Sequence, residues 1–265
     1  RQRQMCIRDS FTLENFARMG TYTAVFTRSF KLAIIATLIA LLIGYPVSYM
    51  LSKEGPQVQR IAMVLIMLPM WMNFLLRTYS WMSILENNGL LNQLFQQIGL
   101  IDLYNQIAMH FAADPAAYVP IDHFQMIGTQ GAVVLGMVYN YLPFMILPIY
   151  SVLVKLDHSL IEAARDLGAS SVQVFRKVIL PLSLPGVLSG ITMVFVPSVS
   201  TFAISRLLGG GTQMMLGDLI EQQFLGGAYN PQLGAAIALV MMAIVVVCML
   251  VMNRFGDGEE QAVML

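Results

Sequence analysis

Apolar positions gather into four clear stretches and a fifth, interrupted one, at residues 32–51, 61–85, 132–154, 182–204 and 234–252. A helix of about 20 residues rising 1.5 Å per residue reaches roughly 30 Å, the thickness of a bilayer's hydrocarbon core, so each stretch predicts a membrane span. The second contains Pro69, Asn73 and Arg77; Pro143 and Pro148 in the third, and Pro185 and Pro197 in the fourth, predict kinks. Residues 11–30 are mixed in character and read as a short surface helix feeding the first span. In the long polar segment 86–130, Leu90-Leu91, Leu94-Phe95 and Leu100-Ile101 are spaced for a helix on the membrane surface, while Asp114-Pro115 and Val119-Pro120 mark turns. Leu216 to Leu225 reads as another short helix outside the bilayer.

The only long polar and charged run between two strongly apolar stretches is SLIEAARDLGASSVQVFRKVILPL, residues 159–182. Ser159 followed three residues later by Glu162 predicts a capping box and a helix from Leu160. Gly168 can adopt the left-handed conformation that ends it. Ser170 with Gln173 repeats the cap and starts a second helix. That helix has Val172, Phe175, Val178 and Ile179 on one side and Arg176 and Lys177 off it, and Pro181 can open the next helix. The pattern predicts a helix–Gly–helix elbow at residues 157–181 between the third and fourth spans.

Composition agrees with a membrane protein. The chain is 57% hydrophobic and 11% charged, against about 25% charged residues in a soluble domain, and its mean hydropathy is +0.68. A net charge of zero argues against nucleic acid as a partner. Cys6 and Cys248 form no disulfide framework, Cys248 falling within an apolar span, and His110, His123 and His158 are scattered singly as surface residues, with no metal-ligand spacing. The sequence lacks GxxxxGK[ST], and Gly209-Gly210-Gly211 follows no strand and precedes no Lys, so it reads as a turn rather than a phosphate loop. Residues 1–10 are basic without an apolar core, unlike a signal peptide, and read as a non-native scar.

Lysine and arginine set the expected orientation. Residues 86–130 and 207–232 contain neither, whereas Lys53 and Arg60 flank the first turn, Lys155, Arg165, Arg176 and Lys177 flank or fill the elbow, and Arg254 follows the last span. The first turn, the elbow and the C-terminal tail (256–265) are therefore expected in the cytoplasm, although Arg18, Arg28 and Lys31 fall on the other side.

Polar groups at membrane depth are candidates for a translocation path, because an Arg at the bilayer centre costs about 2.5–3.5 kcal/mol on insertion scales. Arg77 either reaches outward to the interface or faces a bundle interior. Near it, Trp71, Asn73 and Tyr79 belong to an interfacial belt or to the path, and Trp71 and Asn73 are the deeper. The third span offers Tyr139, Asn140 and Tyr141, and the fourth offers Ser198, Ser200, Thr201 and Ser205, whose hydroxyls can equally bond their own helix. Asp218 and Glu221, three residues apart on one helical face in a cation-free loop, are either a solvated face or an acidic patch for a polycation or a docking partner.

Glu162-Ala163-Ala164, Gly168, Val178 and Leu180-Pro181 resemble the EAA loop of bacterial ABC-importer permeases, whose pattern is EAA-x3-G-x9-I-x-LP. Six of seven fixed positions match at the family spacing, with Val178 in place of Ile. The resemblance implies an all-α, polytopic, MetI-like permease domain over residues 11–255, its EAA elbow docking on an ATPase. FTLENF, LPMWMNFLLRTYSW, YNYLPFMILPIYSVLVKLD and ISRLLGGGTQMMLGDLIEQQFL extend the likeness, over residues 11–252, to the spermidine/putrescine branch. It further implies a heterodimer with a second permease, two ATPase subunits that bind ATP and Mg in place of this chain, an extracytoplasmic binding protein and a bacterial cytoplasmic membrane. Permeases for iron, sulfate, molybdate or thiamine share the EAA loop and remain alternatives. The family has six spans with both ends cytoplasmic, so a native first span is expected upstream of Phe11, replaced here by residues 1–10. A secondary transporter would be expected to carry inverted repeats or membrane-buried acids, and an intramembrane enzyme a catalytic constellation at depth; the sequence has none of these signals.

Overall fold

The computed structural model describes residues 16, 19–111, 119–226 and 229–263; residues 1–10 and the Asp114-Pro115 turn lie outside them. Three helices make the centre: α1 (Thr23–Ser52), α6 (Gln130–Leu153) and α9 (Leu180–Ser200), which pack on one another in all three pairings. The expected surface helix before the first span is absent from Thr23 onward. After a single 3-10 turn at Met19–Tyr22, α1 runs unbroken, because no Gly or Pro breaks the chain between Thr23 and the apolar stretch.

Small residues let these helices approach closely. A Cβ on Gly186 would lie 2.8 Å from the carbonyl oxygen of Pro148, and one on Gly190 would lie 2.8 Å from Met145 Sδ. Lipid tails are as apolar as leucine, so spans associate through such van der Waals contact and polar seams rather than through water exclusion. The seams are present: Ser48 Oγ donates to Gly44 O at 2.7 Å and to Ile146 O at 3.1 Å, and Tyr45 Oη and Ser183 Oγ share a hydrogen bond of 2.9 Å.

The expected span at 61–85 is not one helix. α2 (Pro56–Met67) passes into a 3-10 turn at Leu68–Trp71, the chain extends at Met72, and α3 (Phe74–Leu85) begins, with an 89° bend between the arms Pro56–Trp71 and Phe74–Gln97. Pro69 ends the regular ladder, and Asn73 caps the new helix by accepting from Leu75 N at 2.8 Å. Among the described residues, four helices are long and apolar enough to cross a membrane, or five if the bent pair counts as one span.

Beyond α3 the chain forms α4 (Leu90–Gln97) and α5 (Leu100–Phe111), split at Gly99, so the single predicted surface helix becomes two. After Ser200 the fourth span stops, four residues short of its predicted end; Thr201 is extended and α10 (Ala203–Leu208) packs on α3 and α6. The glycine turn follows, with Gly210 and Gly211 at positive φ. α11 (Leu216–Leu225) has the predicted bounds and is tied to α1 by Leu216 N donating to Ser29 Oγ at 2.8 Å. α12 (Pro231–Val263) continues as helix beyond the predicted span end at 252.

Candidate functional site

The elbow is built by local chain chemistry. α7 (His158–Asp166) starts two residues earlier than predicted, because Asp157 rather than Ser159 is the cap, its Oδ1 accepting from Ser159 N at 2.9 Å. Asp157 is already extended and presents its carboxylate first, which leaves Ser159 inside the helix. The C-terminus closes as a Schellman motif: Gly168 has φ +81°, its N–H donates to Arg165 O at 2.8 Å, and Ala169 N donates to Ala164 O at 3.1 Å. The second predicted cap forms in full, with Ser170 N donating to Gln173 Oε1 and Gln173 N to Ser170 Oγ.

From there the prediction needs correction. α8 (Ser171–Val174) runs through a π turn at Phe175–Ile179 directly into α9, so Pro181 does not open a separate helix. Pro181 has no N–H for Lys177 O and its ring crowds that carbonyl; the wider turn just before it gives the room. The extra residue in that turn also rotates the apolar face. Val172, predicted inward, is exposed, and Val174 is buried in its place.

The elbow has two faces. Inward, Ile161, Ala164, Ala169, Phe175 and Val178 pack on a cluster with Leu153, Val174 and Ile179, and the Phe175 ring meets Tyr45 and Tyr49 edge-on at 5.9 and 5.5 Å. Outward stand Glu162, Ala163 and Gly168. Ala164 therefore fills the seat of the elbow while Ala163 faces out. Val178, Leu180 and Pro181 belong to the root of α9 and do not share the exposed face of Glu162. Leu167, 89% exposed, and Leu160 and Ala163 lie at i, i+3 and i+7 on one outward stripe. Sequence reading passed over Leu160 and Leu167; the signal was a second apolar stripe on α7, offset from Ile161 and Ala164.

The second candidate group is scattered. Trp71 and Asn73, in the break between α2 and α3, are exposed, as is Tyr79. Tyr139 packs edge-on against Trp81 at 5.2 Å. Ser198 and Ser200 donate to Val194 O and Val196 O of their own helix, at 2.7 and 3.2 Å. Arg77 is turned inward, not toward an interface: it is 8% exposed, and its Nε and Nη1 have no hydrogen-bond partner. Tyr141 lies within electrostatic reach of both Thr201 and Arg77. Asn140 is also buried, Nδ2 donating to Gly136 O at 2.9 Å and Oδ1 unpartnered. The structure thus gathers Arg77, Tyr141 and Thr201 and leaves Trp71, Asn73 and Tyr79 on a bare face.

Asp218 and Glu221 do not form a shared acidic patch. Asp218 is buried, accepting from Ser205 Oγ and from Met215 N at 3.0 Å. Glu221 pairs with Arg206, Nη1 donating to both carboxylate oxygens at 2.9 Å. Residues 207–232 lack cations, but Arg206 stands one residue before them and folds onto this helix. Burial pushes the Asp218 carboxyl above its ordinary value, against the opposing pull of the Ser205 and Met215 hydrogen bonds.

Comparison with known proteins places this architecture. The chain is 36% identical over 246 residues to the spermidine/putrescine transport system permease protein PotB of Escherichia coli strain K12, covering 92% of this chain and 82% of that one. It is 37% identical over 240 residues to PotB of Haemophilus influenzae, covering 89% and 77%. Among solved structures, a bacterial ABC transporter that imports the acidic polysaccharide alginate matches with a TM-score of 0.74 at 14% identity, over 95% of this chain and 85% of that one. The MetNI methionine ABC transporter in an inward-facing conformation matches at 0.59 and 19%, over 93% and 98%. These two likenesses concern the fold, which is that of ABC-transporter permeases. Residues 36–258 match the model of the binding-protein-dependent transport system inner membrane component, and the chain belongs to that family.

Proposed function

We propose that this chain is a permease subunit of an ABC importer that moves polyamines, spermidine and putrescine, into the cell. The observation that carries the reading is the elbow: a capped, Gly-closed pair of short helices seated on the ends of α1 and α6, with Leu160, Glu162, Ala163 and Leu167 facing outward. In this reading the elbow faces the cytoplasm and docks in a groove of the ATPase, as the Lys and Arg distribution favours. α8, the π turn and α9 form one continuous helical run, so a displacement of the elbow is passed directly into the fourth span. α6 reaches the elbow's other end within a few residues. ATP-driven closure of two ATPase subunits then tilts α6 and α9 together and alternates access to the path between this permease and a second one.

The polyamine substrate rests on the names of the relatives that share more than a third of their aligned residues with this chain. An extracytoplasmic binding protein delivers it. The test is uptake of labelled spermidine by cells carrying the complete operon, with and without this gene. Energised uptake that disappears on deletion and is competed by unlabelled putrescine supports the reading. Unchanged spermidine uptake moves the substrate to the iron, sulfate, molybdate or thiamine permeases and leaves the ABC assignment standing.

A further inference from the structure

Behind the elbow lies a cleft of about 350 Å³ that neither the outward stripe nor the candidate path uses. Its walls come from the ends of α1 and α6, from α7 and from the start of α8. Leu153 and Ile161 make it partly apolar, while Lys53, Arg165 and Ser171 bring polar groups. Ile161 and Arg165 stand one turn apart on α7, so Arg165 belongs to the row that lines the cleft and not to the outward stripe of Leu160, Ala163 and Leu167. The charge here is one-sided. No Asp or Glu lines the cleft; Glu54 and Asp166, the next residues in the chain after the two cations, are not among its walls. Among the described residues neither Lys53 nor Arg165 has a carboxylate within ion-pairing distance. Lys53 Nζ rests 3.9 Å from the centre of the Tyr49 ring, and Ser52 Oγ already donates to Tyr49 O at 2.9 Å. Two like charges sharing a cleft disfavour each other, and an anion between them removes the repulsion.

We propose that this cleft binds a phosphate group, held between Lys53 at the end of α1 and Arg165 on the elbow. The arginine fork takes two oxygens, lysine neutralises as a point charge, and the Ser171 hydroxyl supplies a further donor. A phosphate has oxygens enough for donors arriving from separate elements, whereas a carboxylate is filled by the arginine fork alone. Position agrees with this chemistry. Lys53 is the first residue beyond the 30-residue α1, and Leu153 is the last of the 24-residue α6, so the cleft lies at the ends of two spans, the level of lipid headgroups. Basic clefts at such ends take headgroup phosphates, and a free phosphate presents the same oxygens. A phosphate bound here ties the elbow to α1 and restrains the lever. The site stands on its own lining; only this effect on coupling rests on the permease reading above.

The test uses the complete transporter, delipidated in a neutral detergent, with two probes. One arm titrates inorganic phosphate; the other titrates phosphatidylglycerol in mixed micelles, with phosphatidylcholine as the zwitterionic control. In the arm that binds, wild type is expected to hold the probe about tenfold more tightly than K53Q/R165Q, the worth of one lost charge-assisted contact. K53R/R165K keeps both charges and is expected to stay within about threefold of wild type. Binding of inorganic phosphate identifies a free anion, and binding in the lipid arm alone identifies a headgroup; either supports the site. Equal affinity of wild type and K53Q/R165Q in both arms overturns it, as does the absence of binding in both. A K53Q/R165Q transporter that binds the probes like wild type but loses the ATPase on purification overturns it too, and places the two cations at the ATPase interface. If K53Q/R165Q does not fold, K53Q and R165Q are read singly, and unchanged affinity in both overturns the proposal. If the wild-type permease does not co-purify with the ATPase, the permease reading falls, while the same titrations on the permease alone still decide the site.

Discussion

Gly168 has φ +81° with open space around the position a Cβ would take, so a side chain there meets backbone strain and no clash. Leaving the left-handed region to glycine avoids about 1–2 kcal/mol for an ordinary residue. Gly168→Val is therefore expected to leave the protein inserted and folded, yet to turn the elbow and abolish substrate-stimulated ATP hydrolysis by the complex. Retained stimulation in reconstituted vesicles removes Gly168 from the coupling role. Asp218 gives a second prediction. Its carboxyl is raised above the ordinary value of 3.8, so the fold holds the protonated form more tightly than the unfolded chain does. That stability is fully present below about pH 4 and is lost as pH climbs through the raised value. Asp218→Asn keeps an acceptor for Ser205 or Met215 N and cannot ionise. Its melting temperature in detergent is expected to lack the part of the wild-type fall that begins near pH 4, and identical pH profiles for the two proteins would refute the assignment. Among single residues, Gly168 and Ser170 were legible because their roles are local. Asp218 was not, since its burial depends on α10 and α11 coming together.

At the level of elements, the prolines show how much of a helix is decided by its neighbours. Pro46, Pro143, Pro148, Pro185 and Pro197 all lie inside continuous helices, while Pro69 accompanies a real break. The difference lies beside each one: Asn73 caps a new helix next to Pro69, and small residues and packed partners hold the others straight enough to continue. Gly186 is the tightest test of that packing, because the atom its Cβ would meet is a backbone oxygen at 2.8 Å, which cannot swing aside. Gly186→Val is expected to force α9 off α6 at a cost of about 1–3 kcal/mol, the usual range for overpacking. A lowered melting temperature of the purified protein checks it, and an unchanged one means that the two helices do not approach this closely. The π turn at Phe175–Ile179 was partly legible, since Pro181 demanded some accommodation. The sequence did not say whether the helix would stop there or widen and run on; contact of Phe175 with Tyr45 and Tyr49 favours continuation.

At the scale of the whole molecule, the chain exposes apolar surface of two kinds. Long stripes of α1 and α12 face where lipid belongs, whereas Leu167 stands at 89% exposure on a polar elbow where lipid does not. An isolated leucine in water is unremarkable, but Leu160, Ala163 and Leu167 stand in line as an exposed stripe, which the proposed function makes the docking surface. Leu167→Asp is expected to reduce ATPase recovered with the purified permease at least tenfold, as charge on a desolvated contact is unfavourable, and to leave membrane insertion unchanged. Undiminished recovery on an affinity column excludes the stripe from the interface. The sequence by itself determined the all-helical membrane character, most of the span positions, the elbow with its glycine stop and second cap, and the family likeness. Each of these depends on hydrophobic periodicity and on hydrogen bonds between residues at most a few positions apart. Only the tertiary structure decided that the second apolar stretch is broken by 89°, that Arg77 turns inward without a counter-charge, that Glu221 pairs with Arg206, and that Ser198 and Ser200 bond their own helix. The direction in which a side chain faces at membrane depth is set by which helices it lies between, and those neighbours are brought together from distant parts of the chain.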